Sequence, residues 1–169
     1  MKKIKLSVII PVYNEEKTVK EIVQRVMAVN VPKEIIIVDD YSSDKTREIL
    51  KELKNNKIKI ILQDKNYGKG YAIRTGLNYA TGDIVIIQDA DREYDPEDYP
   101  KLIKPIVEGK TKVVYGTRFP KGCKTPSIFT NKFFLANRVL TWASNLLYNA
   151  HITDEPTCYK VFASEVIKN

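Results

Sequence analysis

Residues 82–96 read GDIVIIQDADREYDP, in which four apolar residues, Ile84 to Ile87, lead into two aspartates separated by one alanine. A continuous apolar run of this length is typical of a strand that is buried on both faces of a parallel sheet. On an extended chain, side chains two residues apart point to the same side and lie roughly 6–7 Å apart. We therefore expect Asp89 and Asp91 to present both carboxylates together at the end of a buried strand.

Similar apolar runs recur along the chain and alternate with segments of helical periodicity. Strands are predicted at Ile4–Ile10, Glu34–Asp39, Ile58–Leu62, Ile84–Gln88, Val113–Gly116 and Thr157–Phe162, and helices at Glu16–Val29, Asp44–Leu53, Lys69–Ala80, Pro96–Val107 and Asn131–Asn149. This alternation indicates right-handed crossovers, and therefore an α/β fold in which a mostly parallel sheet carries helices on both faces. Residues 119–131 lack periodicity, which is typical of a mobile loop.

Length and composition narrow the class of protein. A chain of 169 residues fits one domain, and 43% hydrophobic with 29% charged residues excludes a disordered chain. Two cysteines and one histidine are too few for a disulfide framework or a four-ligand zinc site, which favours a reducing compartment. The sequence holds no apolar run of the ~20 residues that a membrane-spanning helix needs. We expect a cytoplasmic chain, soluble or peripheral to a membrane.

The charge balance indicates the kind of partner. The chain has 28 basic and 21 acidic side chains, a net charge of +7. This excess favours anionic partners such as phosphate esters or an acidic membrane face. No run of five like charges occurs, so a nucleic-acid-binding arm is not indicated.

Polar side chains gather where the predicted strands end, the edge at which open α/β sheets bind ligands. They are Pro11, Tyr13, Asn14 and Glu15 after the first strand, Asp39, Asp40, Ser42 and Asp44 after the second, Asp89, Asp91 and Glu93 after the fourth, and Thr117 and Arg118 after the fifth. The seven acidic groups among them would repel one another. A bound divalent cation or a network of ligand hydroxyls would relieve that repulsion.

Individual residues at this edge have both a functional and a local interpretation. Two carboxylates spaced as Asp89 and Asp91 suit Mg²⁺ or Mn²⁺ together with substrate phosphates; the alternative is a solvated acidic turn in which Asp95 caps the next helix. Asp40 is a candidate for hydrogen bonding a nucleobase or ribose. Tyr13 could stack on the base, or it could only cover the core.

Other nucleotide-binding motifs are not supported. Asn66, Gly68, Lys69 and Gly70 match a phosphate-binding loop only in part, because the spacing G-x-x-x-x-G-K-[ST] is missing. A G-x-G-x-x-G motif between the first strand and the first helix is missing too, which disfavours an NAD dehydrogenase. His151 and the two cysteines are interpreted as structural or solvated residues.

Six segments, taken in order, carry a resemblance to a known family. They are VIIPVYNEE (8–16), EIIIVDDYSSDKT (34–46), NYGKGYAIRTG (66–76), GDIVIIQDADREYDP (82–96), VVYGTR (113–118) and TDEPTCYKVF (153–162). Over nearly the whole chain they resemble the family-two inverting glycosyltransferases, most of all the branch that transfers mannose or glucose to dolichyl or polyprenyl phosphate. The resemblance implies a single catalytic domain with the GT-A fold, a Rossmann-like fold for nucleotide-diphospho-sugars.

The resemblance also implies a role for each matching residue. For the nucleotide, Pro11, Tyr13 and Glu15 would hold the nucleoside, Asp40 would contact its base or ribose, and Ala90 would pack beside it. Asp89 and Asp91 would hold Mg²⁺ or Mn²⁺, with Glu93 as a third ligand where the family often has Gln. Arg118 and Lys160 would contact phosphate, and Asp154 would be the acceptor-side carboxylate and, with Asp91, catalytic. Before Lys160 the family often has Gly and an aromatic residue, whereas this chain reads Thr157-Cys158-Tyr159.

The function implied is transfer of a sugar, with inversion, from a GDP-mannose or UDP-glucose type of donor to a polyprenyl phosphate at the cytoplasmic face of a membrane. Residues 1–118 would bind the donor and residues 119–169 would serve the acceptor. Asp154 would deprotonate a hydroxyl acceptor but only position a phosphate acceptor. Two alternatives stay open: transfer to a saccharide hydroxyl, and a truncated, inactive chain that binds nucleotide.

The predicted helix 131–149 is rich in large apolar side chains and is flanked by basic residues. One interpretation is an interfacial helix that meets an anionic membrane leaflet. The other is ordinary packing against the sheet.

Overall fold

The computed structural model describes residues 4–53, 55–117, 132–157 and 159–168. The chain divides into two compact units, one formed by Met1–Val114 with Val161–Asn169 and the other by Tyr115–Lys160. The strands are β1 (Leu6–Val12), β2 (Lys33–Asp39), β3 (Ile58–Leu62), β4 (Ile84–Ile87), β5 (Val113–Tyr115) and β6 (Lys160–Ala163). The helices are α1 (Val19–Ala28), α2 (Thr46–Glu52), α3 (Lys69–Leu77), α4 (Tyr99–Val107), α5 (Lys132–Tyr148) and α6 (Ser164–Ile167).

The strands form one six-stranded sheet in the order β3-β2-β1-β4-β6-β5. β1 runs parallel to β2 and to β4, and β2 runs parallel to β3. β6 is antiparallel to β4. The mostly parallel α/β sheet expected from the alternation of strands and helices is therefore confirmed.

The core lies around the central strands. All seven residues of β1 and all four of β4 are buried, as expected for strands that are covered on both faces. α1 buries Val19, Ile22, Val23 and Val26, the one-sided stripe that its sequence predicts. These buried runs fix the ends of β1, β2 and β4, from which the site residues follow.

α3 approaches β1 closely because it carries a glycine on its inner face. A Cβ placed on Gly76 would lie 2.6 Å from Cγ2 of Ile9, which is too close for two carbon atoms. Only a residue without a side chain lets α3 lie this near to the sheet. The same helix begins at the sheet edge where the candidate ligands cluster.

β1 continues through Pro11, although the sequence analysis ended it at Ile10. Pro11 pairs in register with Val38 of β2. The carbonyl of Ile9 accepts a hydrogen bond from the backbone N–H of Gln88 and so faces β4. Backbone groups two residues apart face the same side, so the nitrogen of Pro11 also faces β4, whose pairing with β1 ends at Ile9. The donor that proline lacks is therefore not needed at this position.

Helix boundaries differ from the predicted ones for local reasons. A 3-10 turn, Pro96–Asp98, precedes α4, and Asp95 caps it by accepting a hydrogen bond from the N–H of Glu97, as predicted. α3 ends at Leu77, three residues earlier than expected, because the following N–H groups donate to carbonyls three residues back. α6 was not predicted.

α5 lies in the second unit and exposes much of its apolar surface. Its exposed large side chains are Leu135, Val139, Leu140, Trp142, Leu146, Leu147 and Tyr148. Both interpretations of this helix, contact with a membrane leaflet and packing against the sheet, stay predictions. Among the described residues, no helix is both long enough and apolar enough to cross a membrane.

Candidate active site

A cleft of about 390 Å³ opens at the carboxyl ends of β1, β2 and β4 in the first unit. Its lining residues are Pro11, Val12, Tyr13, Glu15, Asp40, Asn66, Gly68, Lys69, Ala72, Asp89, Ala90 and Asp91. These include all the residues of this unit that the resemblance assigns to the nucleotide, and both aspartates of the Asp-Ala-Asp triplet. Residues that are scattered over about 80 positions of sequence therefore meet in one place.

The two aspartates reach the cleft from a bend rather than from the strand itself. β4 ends at Ile87, so Asp89 and Asp91 lie beyond the extended segment that was expected to align them. Oδ1 of Asp91 accepts a hydrogen bond from the N–H of Glu93 at 3.0 Å, which makes a short acidic turn. The acidic turn proposed as the local interpretation is therefore present, and both aspartates line the cleft. Their role in holding a divalent cation stays a prediction.

A buried hydrogen-bond network holds the residue that precedes Asp89. Gln88 is completely buried, and its Oε1 accepts a hydrogen bond from the hydroxyl of Tyr99 at 2.7 Å. The side-chain amide of Gln88 donates to the backbone carbonyl of Asp89 at 2.9 Å. Because α4 supplies the tyrosine, the position of Asp89 depends on a helix outside the cleft.

Two surface ion pairs tie the turn after Asp91 to α1. Arg92 lies 2.6 Å from Glu21, and Arg25 lies 3.0 Å from Asp95. The backbone hydrogen bond from Glu97, together with the charge of Arg25, lowers the pKa of Asp95. The sequence analysis missed these links because their partners are about 70 residues apart.

The donor set suits a divalent cation that is shared with a ligand. Among the residues that the structure describes, no three Asp, Glu, His or Cys side chains converge as a complete metal site. Asp89 and Asp91 supply two carboxylates, which matches the habit of Mg²⁺ of using one or two carboxylates and substrate phosphates. Glu93 is exposed and is not one of the described residues that line the cleft, so its role as a third ligand stays a prediction.

Asp40 anchors the loop that leads into α3. The side chain is 3% exposed, and its two carboxylate oxygens accept hydrogen bonds from the N–H groups of Tyr67 and Gly68 at 2.8 and 2.7 Å. Each carboxylate oxygen has a further lone pair, so Asp40 can still accept a hydrogen bond from a ligand. The sequence analysis named Asp40 as a ligand contact and missed this structural role.

Asp39, the neighbour of Asp40, is part of the fold. It is completely buried, pairs with Nε of Arg47 at 2.6 Å and accepts a hydrogen bond from the N–H of Ser42. Strand alternation explains the difference, because successive side chains of β2 point to opposite faces. Of the two adjacent aspartates, only Asp40 lines the cleft.

Side chains of the second loop support the first loop of the cleft. Ser42 and Thr46 accept hydrogen bonds from the N–H groups of Asn14 and Glu15 at 2.9 and 2.8 Å. Asp44 accepts a hydrogen bond from the N–H of Thr46, the first residue of α2. Burial alone would raise the pKa of Asp44, but hydrogen bonds from Thr46 and from the N–H of Glu16 outweigh it and lower the pKa.

α3 begins at the cleft, and Lys69 is its first residue. Gly68 precedes it with φ 89°, a backbone conformation that favours glycine. Nζ of Lys69 lies 2.5 Å from Oδ1 of Asp89. The sequence analysis noted Lys69 only within a partial phosphate-loop match; the Gly-Lys-Gly at a helix start was the available signal.

The acceptor-side predictions fall in the second unit or outside the described residues. Asp154 is 3% exposed, and the ammonium of Lys160 lies 5.5 Å from the centre of the Tyr115 ring. Arg118, the loop 119–131, Cys123 and Cys158 lie outside the described residues. His151 is exposed, in agreement with a solvated side chain. The roles assigned to Asp154, Lys160 and Arg118 stay predictions.

Sugar transferases are among the relatives that are similar to this chain in sequence. It is 42% identical over 121 residues to the undecaprenyl-phosphate 4-deoxy-4-formamido-L-arabinose transferase of Photorhabdus laumondii, a match of 68% of this chain and 37% of that protein. It is 38% identical over 123 residues to the dolichol-phosphate mannosyltransferase of Pyrococcus furiosus, a match of 71% of this chain and 35% of that protein. The matched part is about a third of the length of each relative.

The fold also occurs in a solved structure. The glucosyl-3-phosphoglycerate synthase of Mycobacterium tuberculosis, crystallised with Mn²⁺, UDP and phosphoglyceric acid, superposes with a TM-score of 0.73 at 20% identity. The match covers 96% of this chain and 57% of that one. The expected GT-A fold is confirmed. The model of the family described as Glycosyl transferase family 2 matches residues 7–169, a range that includes the cleft. The chain therefore belongs to glycosyl transferase family 2.

Proposed function

We propose that the chain carries the donor-binding part of a glycosyltransferase that moves a hexose, with inversion, from a nucleoside-diphosphate sugar to a polyprenyl phosphate. The observation that carries the proposal is the cleft that brings Tyr13 and Asp40 together with Asp89 and Asp91. The names of the two relatives, one acting on undecaprenyl phosphate and one on dolichol phosphate, support the acceptor class.

The nucleoside would lie on the β1 and β2 side of the cleft. Tyr13 is half exposed, so its ring face is available for stacking on a base. Pro11 and Glu15 line the cleft beside it. Asp40 can accept a hydrogen bond from the base or ribose while it continues to hold Tyr67 and Gly68. This arrangement binds a nucleoside without the glycine-rich motif of dinucleotide-binding folds.

The diphosphate would lie on the β4 side, where Asp89 and Asp91 would hold Mg²⁺ or Mn²⁺. When bound, the cation supplies positive charge that stabilises the departing nucleoside diphosphate as a Lewis acid. Without a counter-charge, two carboxylates would repel a diphosphate, so the aspartates alone do not explain its binding. Ala90, between the two aspartates, adds a small apolar side chain to the lining of the cleft.

The acceptor would attack the anomeric carbon from the face opposite the leaving group, which inverts the configuration. A phosphate acceptor is already anionic near neutral pH, so Asp154 would position it rather than remove a proton. Arg118 would contact the phosphate of the donor or of the acceptor, and Lys160 would be a further phosphate contact. A saccharide hydroxyl would instead need Asp154 as a general base. The role of Asp154, positioning or proton removal, therefore differs between the two classes of acceptor.

A transfer assay separates these possibilities. We would incubate the chain with radiolabelled GDP-mannose or UDP-glucose, Mn²⁺, and either undecaprenyl phosphate or a soluble saccharide. Label in the lipid fraction supports the proposal, and label in the saccharide supports the hydroxyl-acceptor alternative. If the chain binds nucleotide but transfers label to neither acceptor, the proposed transferase activity is wrong and the alternative of an inactive nucleotide-binding chain is supported.

A further inference from the structure

One of the two proposed metal ligands, Asp89, forms an ion pair with a lysine of the protein itself, Lys69. The ammonium Nζ lies 2.5 Å from Oδ1 of Asp89. The Lys69 side chain is 56% exposed, whereas that of Asp89 is 17% exposed. A largely covered carboxylate is therefore neutralised by a side chain whose stem extends through solvent.

The carboxylate of Asp89 cannot pair at full strength with two cations at the same time. A divalent cation at Asp89 would compete with the Lys69 ammonium for the negative charge of that side chain, because two positive charges near one carboxylate repel each other. An ammonium on a flexible four-carbon stem can turn to a new partner, since its donors are not held in a fixed plane.

The surroundings of Lys69 offer such a partner. Lys69 lines the cleft and opens α3, whose N-terminal end favours negative charge. The next residue, Gly70, has no atom within 4 Å of the point where a Cβ would lie, so there is open space at this helix end. A phosphate in the cleft would therefore find both the lysine and the helix N-terminus on one side.

We propose that Lys69 is an exchange residue that neutralises Asp89 in the ligand-free cleft and moves to the diphosphate of the donor when a divalent cation takes its place. This inference rests on the proposed donor-binding function. It has two consequences of opposite sign: Lys69 weakens the binding of a divalent cation to the nucleotide-free protein, and it strengthens the binding of a nucleoside diphosphate.

The test compares wild type with Lys69→Met in two binding measurements without turnover. Mn²⁺ binding to the nucleotide-free protein is followed by the electron paramagnetic resonance signal of free Mn²⁺, and GDP and UDP binding is measured by calorimetry at saturating Mn²⁺. Removal of the lysine should tighten Mn²⁺ binding by about fivefold and weaken nucleoside-diphosphate binding by about fivefold, the size expected for a partly exposed ion pair. Lys65→Met is the matched control, because it removes the same charge from an exposed residue that lies only four positions earlier.

The outcomes separate this inference from the proposed function. If wild type binds Mn²⁺ and a nucleoside diphosphate but Lys69→Met changes neither affinity or only one, the exchange is overturned and the donor site stands. If Lys65→Met changes both affinities as much as Lys69→Met, a general charge effect replaces the exchange. If wild type binds neither ligand, the proposed function itself fails.

Discussion

The hydroxyl of Tyr99 donates a 2.7 Å hydrogen bond to Oε1 of Gln88, and both side chains are completely buried. Gln88 in turn donates to the carbonyl of Asp89. Helix α4 is thus connected through one glutamine to the backbone of a proposed metal ligand. Since this network lies outside the cleft, it can be altered without removing any group that a ligand would touch.

Tyr99→Phe removes the donor and keeps the ring. We expect the free energy of unfolding to fall by about 1–3 kcal/mol, because a buried acceptor loses its hydroxyl partner. We also expect weaker binding of Mn²⁺ with nucleotide, because Asp89 loses part of its support. Urea denaturation and calorimetry measure the two effects. Tyr148→Phe, at a residue 79% exposed, is the control and should change neither. Unchanged stability in Tyr99→Phe would show that the hydrogen bond contributes nothing.

Glu34 makes the stability of the fold dependent on pH. Burial would raise the pKa of Glu34, but hydrogen bonds from Lys5, Ser7 and Thr81 outweigh it and lower the pKa from 4.5 to about 2. A carboxyl whose pKa is lower in the folded state stabilises the fold above pH 4.5 and loses this contribution as the pH falls towards 2.

Glu34→Gln should therefore lower the free energy of unfolding by about 1–2 kcal/mol at pH 7, after allowance for solvent screening. The difference from wild type should shrink between pH 4.5 and pH 2. Denaturation curves at a series of pH values measure it, with Glu52→Gln on the exposed side of α2 as the control. A difference that stays constant over this range contradicts the pKa shift.

Two glycines of α3 form a natural pair for testing how closely this helix packs. Gly76→Ala would place its Cβ 2.6 Å from Ile9, and we expect a loss of about 1–3 kcal/mol in the free energy of unfolding. Gly70→Ala meets open space, so the higher helix propensity of alanine should leave stability equal or raise it by up to about 1 kcal/mol. Thermal and urea unfolding compare the two. Equal effects would mean that α3 is not held against β1 as described.

The anchoring role of Asp40 predicts a local change in dynamics. Asp40→Ala removes the acceptor of the Tyr67 N–H and one of the two acceptors of the Gly68 N–H, which also donates to Oδ1 of Asn66. We expect hydrogen exchange at these two amides to speed up by about tenfold or more, since the loop before α3 loses its attachment to β2. Glu52→Ala, at an exposed acidic residue of α2, is the control and should leave exchange at both amides unchanged. If neither amide responds in Asp40→Ala, Asp40 serves ligands alone.

The sequence predicted the fold well where a pattern is local. The complete burial of β1 and β4, the buried run from Ile35 to Asp39 in β2 and the apolar stripe of α1 follow from residue order alone. Contacts between distant parts of the chain were not predictable in the same way. Pro11 continues β1 only because β4 stops pairing at Ile9, and this depends on a strand that is 75 residues away.

The site shows the same division. Strand ends predicted that Asp40, Asp89 and Asp91 would meet, and they do. The sequence did not distinguish the structural Asp39 from the cleft residue Asp40, because that depends on which face of β2 is covered. It also undervalued Lys69, since an ion pair across 20 residues leaves no mark in residue order.

The most direct test of the central claim is calorimetric titration of the chain with GDP and UDP, with and without Mn²⁺, in wild type, Asp91→Asn and the control Asp98→Asn. We expect wild type and Asp98→Asn to bind at least one of the nucleotides, tighter with Mn²⁺ by about tenfold or more, or ~1.4 kcal/mol. Asp91→Asn should lose this gain. Binding of equal strength with Mn²⁺ and with chelator, unaffected by Asp91→Asn, would contradict a cation held at the end of β4.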